Sequence, residues 1–231
     1  MASIHVPTPP RMRWSLAPDE FEPYVVRQLE AFTVPGRTPY SGTSVQRHLP
    51  ATLSRVARCF SEIRRKYFFD GIHTLFDHRH GDHWAMFLYF LSNTVHREGG
   101  DPDLAASLFL LNKALHGCDL YYAVRLPDIF LLIHPLGTVL GNASYGDYFV
   151  AYQNCGVGAV EDGTYPTFAG ENVLFARSAV LGACNVGRNV IVGANAFLLN
   201  TDVPDDRVVV GQYPSQRILP ASGTVLERLF R

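Results

Sequence analysis

The chain has 231 residues, 47% of them hydrophobic, and a formal net charge of −1 at neutral pH. That is enough to bury a core as one large domain or two small ones, and the balanced charge offers neither nucleic acid nor an anionic membrane a basic face. The four cysteines, Cys59, Cys118, Cys155 and Cys184, show no paired spacing and no CxxC, so they read as reduced, buried thiols and not as a disulfide framework or a zinc knot.

In chain order, residues 1–16 and 33–50 are rich in Pro, Gly, Ser and Thr and read as loop or arm. The prolines of MASIHVPTPPRMRW stand where a secretion signal needs its apolar stretch, and no run approaches the roughly 18 apolar residues of a membrane span, so a soluble, cytoplasmic protein is expected. Four segments between residues 17 and 117 read as helical. In the second, Leu53, Val56, Ala57, Phe60 and Ile63 recur at three- and four-residue steps, with Ser54, Arg55, Glu62 and Arg65 on the opposite side. Arg64-Arg65-Lys66 then reads as a solvated helix end. The stretch DHRHGDH (Asp77, His78, His80, Asp82, His83) carries metal-capable side chains, but this spacing without cysteine is weak for zinc, and a loop leading into an N-cap at Asp82 accounts for it. The third helix runs from Asp82 through Trp84, Phe87, Leu88 and Leu91 to Gly99-Gly100; the fourth opens with Asp101-Pro102 and closes before Gly117. The aromatics Tyr67, Phe68, Phe69, Phe87, Tyr89 and Phe90 read as helix core or subunit interface.

After Gly117 helix formers thin out and a six-residue period appears at Leu174, Val180, Val186, Val192 and Leu198. Four residues after each of the first four stands a small or aliphatic side chain: Ser178, Cys184, Val190 and Ala196. A second run in a shifted frame, Leu120, Leu126 and Leu132, has Val124, Phe130 and Leu136 in the same later slot, and Tyr145, Ala151 and Val157 continue it after a slip. Three flat six-residue faces make one triangular coil, with the repeated aliphatic residue pointing into the prism. A helix needs a 3.6 period, and a hairpin sheet needs turn signals every 8–12 residues. The fold class is therefore α+β: a helical N-terminal part at 1–117, a left-handed parallel β-helix at 118–220, and a tail at 221–231. Gly141 and Gly182 fall at corners. The phase breaks between Val157 and Phe168, so residues 158–167 read as a loop expelled from one corner, and long loops of this kind tend to carry function.

Beyond residue 100 the histidines are His116 and His134. An alcohol is a weak nucleophile at neutral pH, and the imidazole of His134 suits removal of its proton as the hydroxyl attacks a thioester carbonyl; a surface histidine without a role is the plain alternative. Asp119 lies a little under one coil earlier, where it would stack beside His134 and fix its tautomer; otherwise it is a helix-exit turn residue.

From Cys118 onward the chain resembles serine O-acetyltransferase and its hexapeptide-repeat relatives. Laid against that family without gaps, CDLYYAVRLPDIFLLIH puts Asp119 on the catalytic aspartate and His134 on the catalytic histidine. PTFAGENVLFARSAVLGACNVGRNVIVGANA follows the family's last coils, so the resemblance places Ala176 and Ala194 on the groove for coenzyme A. VPDDRVVVGQYP, with Gly211 and Pro214, resembles the exit from the helix that helps cover the cofactor. The family has an acidic residue before the catalytic histidine and an Arg-His pair in the expelled loop, which hold the amino acid's charges. Here those places hold Ile133 and Thr164-Tyr165, so a neutral hydroxyl acceptor is favoured, with Asp162 and Tyr165 as its contacts.

The favoured expectation is thus an acetyl-CoA-dependent O-acetyltransferase acting on a sugar or other small molecule, with His134 as base, Asp119 as its orienter, amides around Gly158 as the oxyanion site, and no metal. A homotrimer or dimer of trimers is expected, with no nucleic-acid partner and no membrane span. Serine O-acetyltransferase itself is the runner-up. A carbonic-anhydrase-like β-helix would need several coil histidines, and a scaffold module would bind no coenzyme A.

Overall fold

The computed structural model describes residues 12–32 and 42–230, and the remainder of the two expected arms, 1–11 and 33–41, lies outside the described residues. Four helices build the N-terminal layer: α1 (Phe21–Ala31), α2 (Gly42–Ser61), α3 (Gly81–Arg97) and α4 (Pro102–His116). The ends of α4 follow from local chemistry. The Asp101 side chain accepts the Asp103 amide, Pro102 fills the first turn without wasting a donor, and Gly117 turns left-handed at φ 62°.

Three expectations for this layer are corrected. Residues 42–50 are helix and not loop, because Val45 and Leu49 extend the buried stripe of Leu53, Val56 and Phe60 by one more turn on each step. Residues 12–14 are not arm either: strand β1 (Met12–Trp14) pairs in parallel with β2 (Thr74–Phe76). Arg55 also leaves its expected solvent side, reaching the Phe90 carbonyl, Thr94 Oγ1 and Asn93 Oδ1. Helix α3 is buried on every side from Asp82 to Val95, since it runs between its sister helices and the coils.

The C-terminal part is a left-handed parallel β-helix. Face I stacks β3 (Phe130–Leu132), β6 (Phe149–Ala151), β9 (Val173–Leu174), β12 (Val190–Val192) and β14 (Arg207–Val210). Face II stacks β4 (Val139–Leu140), β7 (Gly156–Gly158), β10 (Ala179–Leu181) and β13 (Phe197–Leu199), and face III stacks β5 (Ser144–Tyr145), β8 (Thr167–Phe168) and β11 (Asn185–Val186). The register makes three inward files: Leu132, Ala151, Leu174, Val192 and Val209; Leu140, Val157, Val180 and Leu198; Tyr145, Phe168 and Val186. From Leu174 to Leu198 the six-residue period steps from one file to the next, which is why all five of its residues there are buried.

Corners recur with a left-handed residue: His134, Asn154, Arg177 and Asn195 between faces I and II, and Tyr148, Glu171, Asn189 and Asp206 between faces III and I, all at φ between 49° and 64°. The first coil is less regular than expected. Leu120 and Leu126 are buried, but residues 118–129 form no strand and join the ladder through the Asp119–Val139 bridge and through the Ile129 carbonyl, which accepts Tyr148 N at 2.7 Å. Leu136 is 65% exposed instead of inward, because it sits on the outside of the corner that His134 turns.

Two seams join the layers. The Phe130 ring packs against Tyr89 and Phe90 at centroid distances of 5.6 and 5.1 Å, and Tyr89 Oη donates to the Val124 carbonyl. After the antiparallel strand β15 (Arg217–Pro220), helix α5 (Val225–Leu229) opens with a Thr224–Glu227 capping box and brings Phe230 into a bridge with Ile63.

Candidate active site

The corner between faces I and II is a column tied coil to coil. Asn154 N donates to the Leu136 carbonyl, Arg177 N to Gln153, Asn195 N to Ala176, and Phe197 N to Gly211, at 2.9 to 3.1 Å. His134 stands at its foot, two residues after β3; Gln153 takes the equivalent place on the next coil, and Ala176, Ala194 and Gly211 supply one small residue on each of the three coils after that. Ala194, Gly211 and Pro214 are exposed and Ala176 is half-buried, so the column offers a strip without projecting side chains at those points. A long, thin ligand fits such a strip.

The His134 side chain is 74% exposed. Its amide donates to Asp82 Oδ1 at 3.1 Å, and its Nδ1 lies 3.9 Å from the same oxygen. Asp82 belongs to the first turn of α3 and is buried. Asp119 is placed differently from its expected role. Its Oδ2 accepts Lys113 Nζ at 2.6 Å, and among the described residues no hydrogen bond or ion pair joins it to His134. The reason is local: Asp119 follows the Gly117 cap closely, within reach of the last turn of α4. His116 bonds Asn112 Oδ1 at 2.8 Å, and burial lowers its pKa.

The expelled loop, residues 159–166, leaves the next corner around the prism, between β7 and β8. Gly158 is at its entry, with its carbonyl accepting Gly182 N. Asp162 Oδ1 accepts the Thr164 amide at 2.8 Å, and bonds from the Thr164 hydroxyl and amide hold the carboxyl below the usual range. Tyr165 lies over Gly141, where a Cβ would come within 2.8 Å of the ring, so that corner requires glycine. Within one chain, His134 and the loop residues Asp162 and Tyr165 therefore occupy different corners. Ile133 is buried.

The DHRHGDH stretch has a structural explanation. His80, not Asp82, is the N-cap of α3. His83 sits among the rings of Phe60, Phe68 and Phe76 with its Nδ1 accepting the Asp77 amide at 3.0 Å, and burial pushes its pKa down to about 3. Among the described residues, no three His, Cys, Asp or Glu side chains converge as a metal group would require. All four cysteines are free and buried, as expected. Sequence reasoning missed the Asp82–His134 contact; the only signal was an acidic residue at a helix start, which capping alone explains.

Stacked triangular coils behind a helical layer define a hexapeptide-repeat β-helix protein. The proteins it resembles are serine acetyltransferases. The chain is 35% identical over 114 residues to the serine acetyltransferase of Synechococcus elongatus, covering 48% of this chain and 46% of that one. It is 28% identical over 131 residues to that of Helicobacter pylori, covering 55% and 75%. The match thus spans about half the length of the first of these relatives. Among solved structures, serine acetyltransferase from Brucella abortus superposes with a TM-score of 0.67 at 20% identity over 88% of this chain and 84% of that one. The same organism's enzyme in complex with coenzyme A gives 0.65 at 18% identity over 88% and 83%. No protein-family model matches the chain. No helix among the described residues is long and apolar enough to cross a membrane.

Proposed function

We propose that the protein is an acetyl-CoA-dependent O-acetyltransferase with His134 as general base. The observation that carries this reading is the exposed corner histidine at the foot of the small-residue column Ala176, Ala194 and Gly211, in a chain similar to serine acetyltransferases. Bound acetyl-CoA supplies the acetyl thioester. Nε2 of His134 takes the acceptor hydroxyl's proton as the oxygen attacks the carbonyl carbon, then returns that proton to the departing thiolate, so the imidazole ends neutral. Ala176, Ala194, Gly211 and Pro214 line the cofactor strip.

Gly158, Asp162 and Tyr165 stand on the neighbouring corner, so they join His134 only where one chain's loop corner meets another chain's histidine corner. A contact between two different patches closes into a ring, and three-sided prisms suit a homotrimer. In that assembly the Gly158 amide stabilises the oxyanion and the loop contacts the acceptor.

Serine is the acceptor we assign first, because the relatives and neighbours described above carry that name. A neutral hydroxyl compound is the second reading, supported by Ile133 and Thr164-Tyr165 at places where charges would hold a zwitterion. Thiol release from acetyl-CoA over a panel of serine, amino alcohols and sugars decides between them. His134→Ala should lower turnover at least about 100-fold while leaving coenzyme A affinity nearly unchanged. An active variant removes His134 from the mechanism, and no release with any acceptor together with no coenzyme A binding favours a scaffold.

A further inference from the structure

The role given to His134 leaves open what holds its ring, and, resting on that role, we infer that Asp82 of α3 is the positioning carboxylate of His134. One oxygen, Asp82 Oδ1, accepts the His134 amide at 3.1 Å and stands 3.9 Å from Nδ1. The second distance is too long for a hydrogen bond. A small rotation of the exposed ring closes it, and catalytic hydrogen bonds commonly tighten only once substrate binds.

The surroundings single out this carboxylate. Asp82 has an 11% exposed side chain in the first turn of α3, where the N-terminal end of the helix dipole favours negative charge. Among the described residues its polar side-chain contacts are the amide and ring of His134, and no lysine or arginine forms an ion pair with it. The other groups nearby are already committed. Lys113 and Asp119 neutralise each other at 2.6 Å, and His116, whose ring lies 3.9 Å from where a Cβ on Gly81 would be, bonds Asn112 with its pKa lowered by burial. Asp82 is thus the unneutralised charge that faces His134.

Its effect follows from tautomer chemistry. With Asp82 accepting from Nδ1–H, the lone pair of Nε2 points outward, ready to take a proton, and the imidazolium that forms faces a carboxylate. Asp119, which the resemblance places in this role, then acts by bracing the α4 exit through Lys113.

The test uses the full chain with Asp82→Asn, which keeps an oxygen for the His134 amide, beside Asp119→Asn. Two readouts are taken: nitrogen NMR of the His134 ring, assigned by comparison with His134→Ala, and steady-state thiol release from acetyl-CoA with serine. The expected result is a shift of His134 from the Nδ1–H toward the Nε2–H tautomer in Asp82→Asn, with kcat about 10- to 100-fold lower and both KM values within about twofold. Asp119→Asn should leave the tautomer unchanged and cost less. The inference is overturned by an unchanged tautomer in Asp82→Asn, by a larger kcat loss in Asp119→Asn, or by a loss confined to the serine KM, which would make Asp82 an acceptor contact. If the unaltered protein releases no thiol with serine or any other acceptor and binds no coenzyme A, the acetyl-transfer reading falls, and the tautomer measurement still decides the role of Asp82.

Discussion

The helical layer and the coils are packed by different rules. The helices enclose an aromatic cluster in which Phe21, Phe60, Phe76, Phe87 and Trp84 meet at varied angles, with ring centroids 4.6 to 6.4 Å apart where they touch. The coils hold single files, aliphatic on faces I and II and with Tyr145 stacked on Phe168 on face III, each residue lying on its equivalent one turn away. An aromatic cluster is a unique jigsaw and a file is a repeated rule. The proposed site draws His134 from the rule and Asp82 from the jigsaw, so its geometry depends on the seam between them.

Three experiments probe that division. Phe130, at the seam, should be the most costly: Phe130→Ala is expected to lose about 3–5 kcal/mol in urea unfolding, within a single transition. Two separated transitions would show the layers to be independent units. Next comes acid, which should strike the helical layer through His83. Its folded pKa of about 3 lies below the unfolded value, so the neutral form's stability is complete above about pH 6.5 and is lost as pH falls toward 3. By pH 4 the loss should be about 3 kcal/mol, read as a fall in Tm that His83→Phe flattens. An equally steep acid limb in that variant would place the sensitivity elsewhere. The smallest effect belongs to the coils' outer corner: Ala194→Trp should leave Tm nearly unchanged while weakening coenzyme A about tenfold, a difference of roughly 1.4 kcal/mol. Unaltered affinity by calorimetry would move the cofactor off this column.

What the sequence disclosed follows the same line. The six-residue beat was legible because each coil repeats one instruction, and α4 was legible because Asp101, Pro102 and Gly117 act within a few residues of themselves. His134 was singled out as one of two histidines beyond residue 100, and the small corner residues came from the family resemblance and not from the beat. The start of α2 was hidden by Pro50 and its polar neighbours, whose composition resembles a loop although Val45 and Leu49 bury one face. The β1–β2 pair was hidden because its partners are distant in sequence. Lys113–Asp119 and Asp82–His134 were invisible for a physical reason: each depends on how a helix end meets the first coil, and no periodicity encodes that.

The return of α5 to the helical layer has a mechanical consequence. The chain is fastened at two points, at Phe130 against Tyr89 and Phe90, and at Phe230 beside Ile63, where Arg64 N also donates to the Leu229 carbonyl at 2.9 Å. A body held at one point can pivot; one held at two can only flex between them. Sliding of α3 along the prism is therefore resisted directly at Phe130, and the helix on which α3 packs is held at Ile63, which keeps Asp82 opposite the corner that His134 turns.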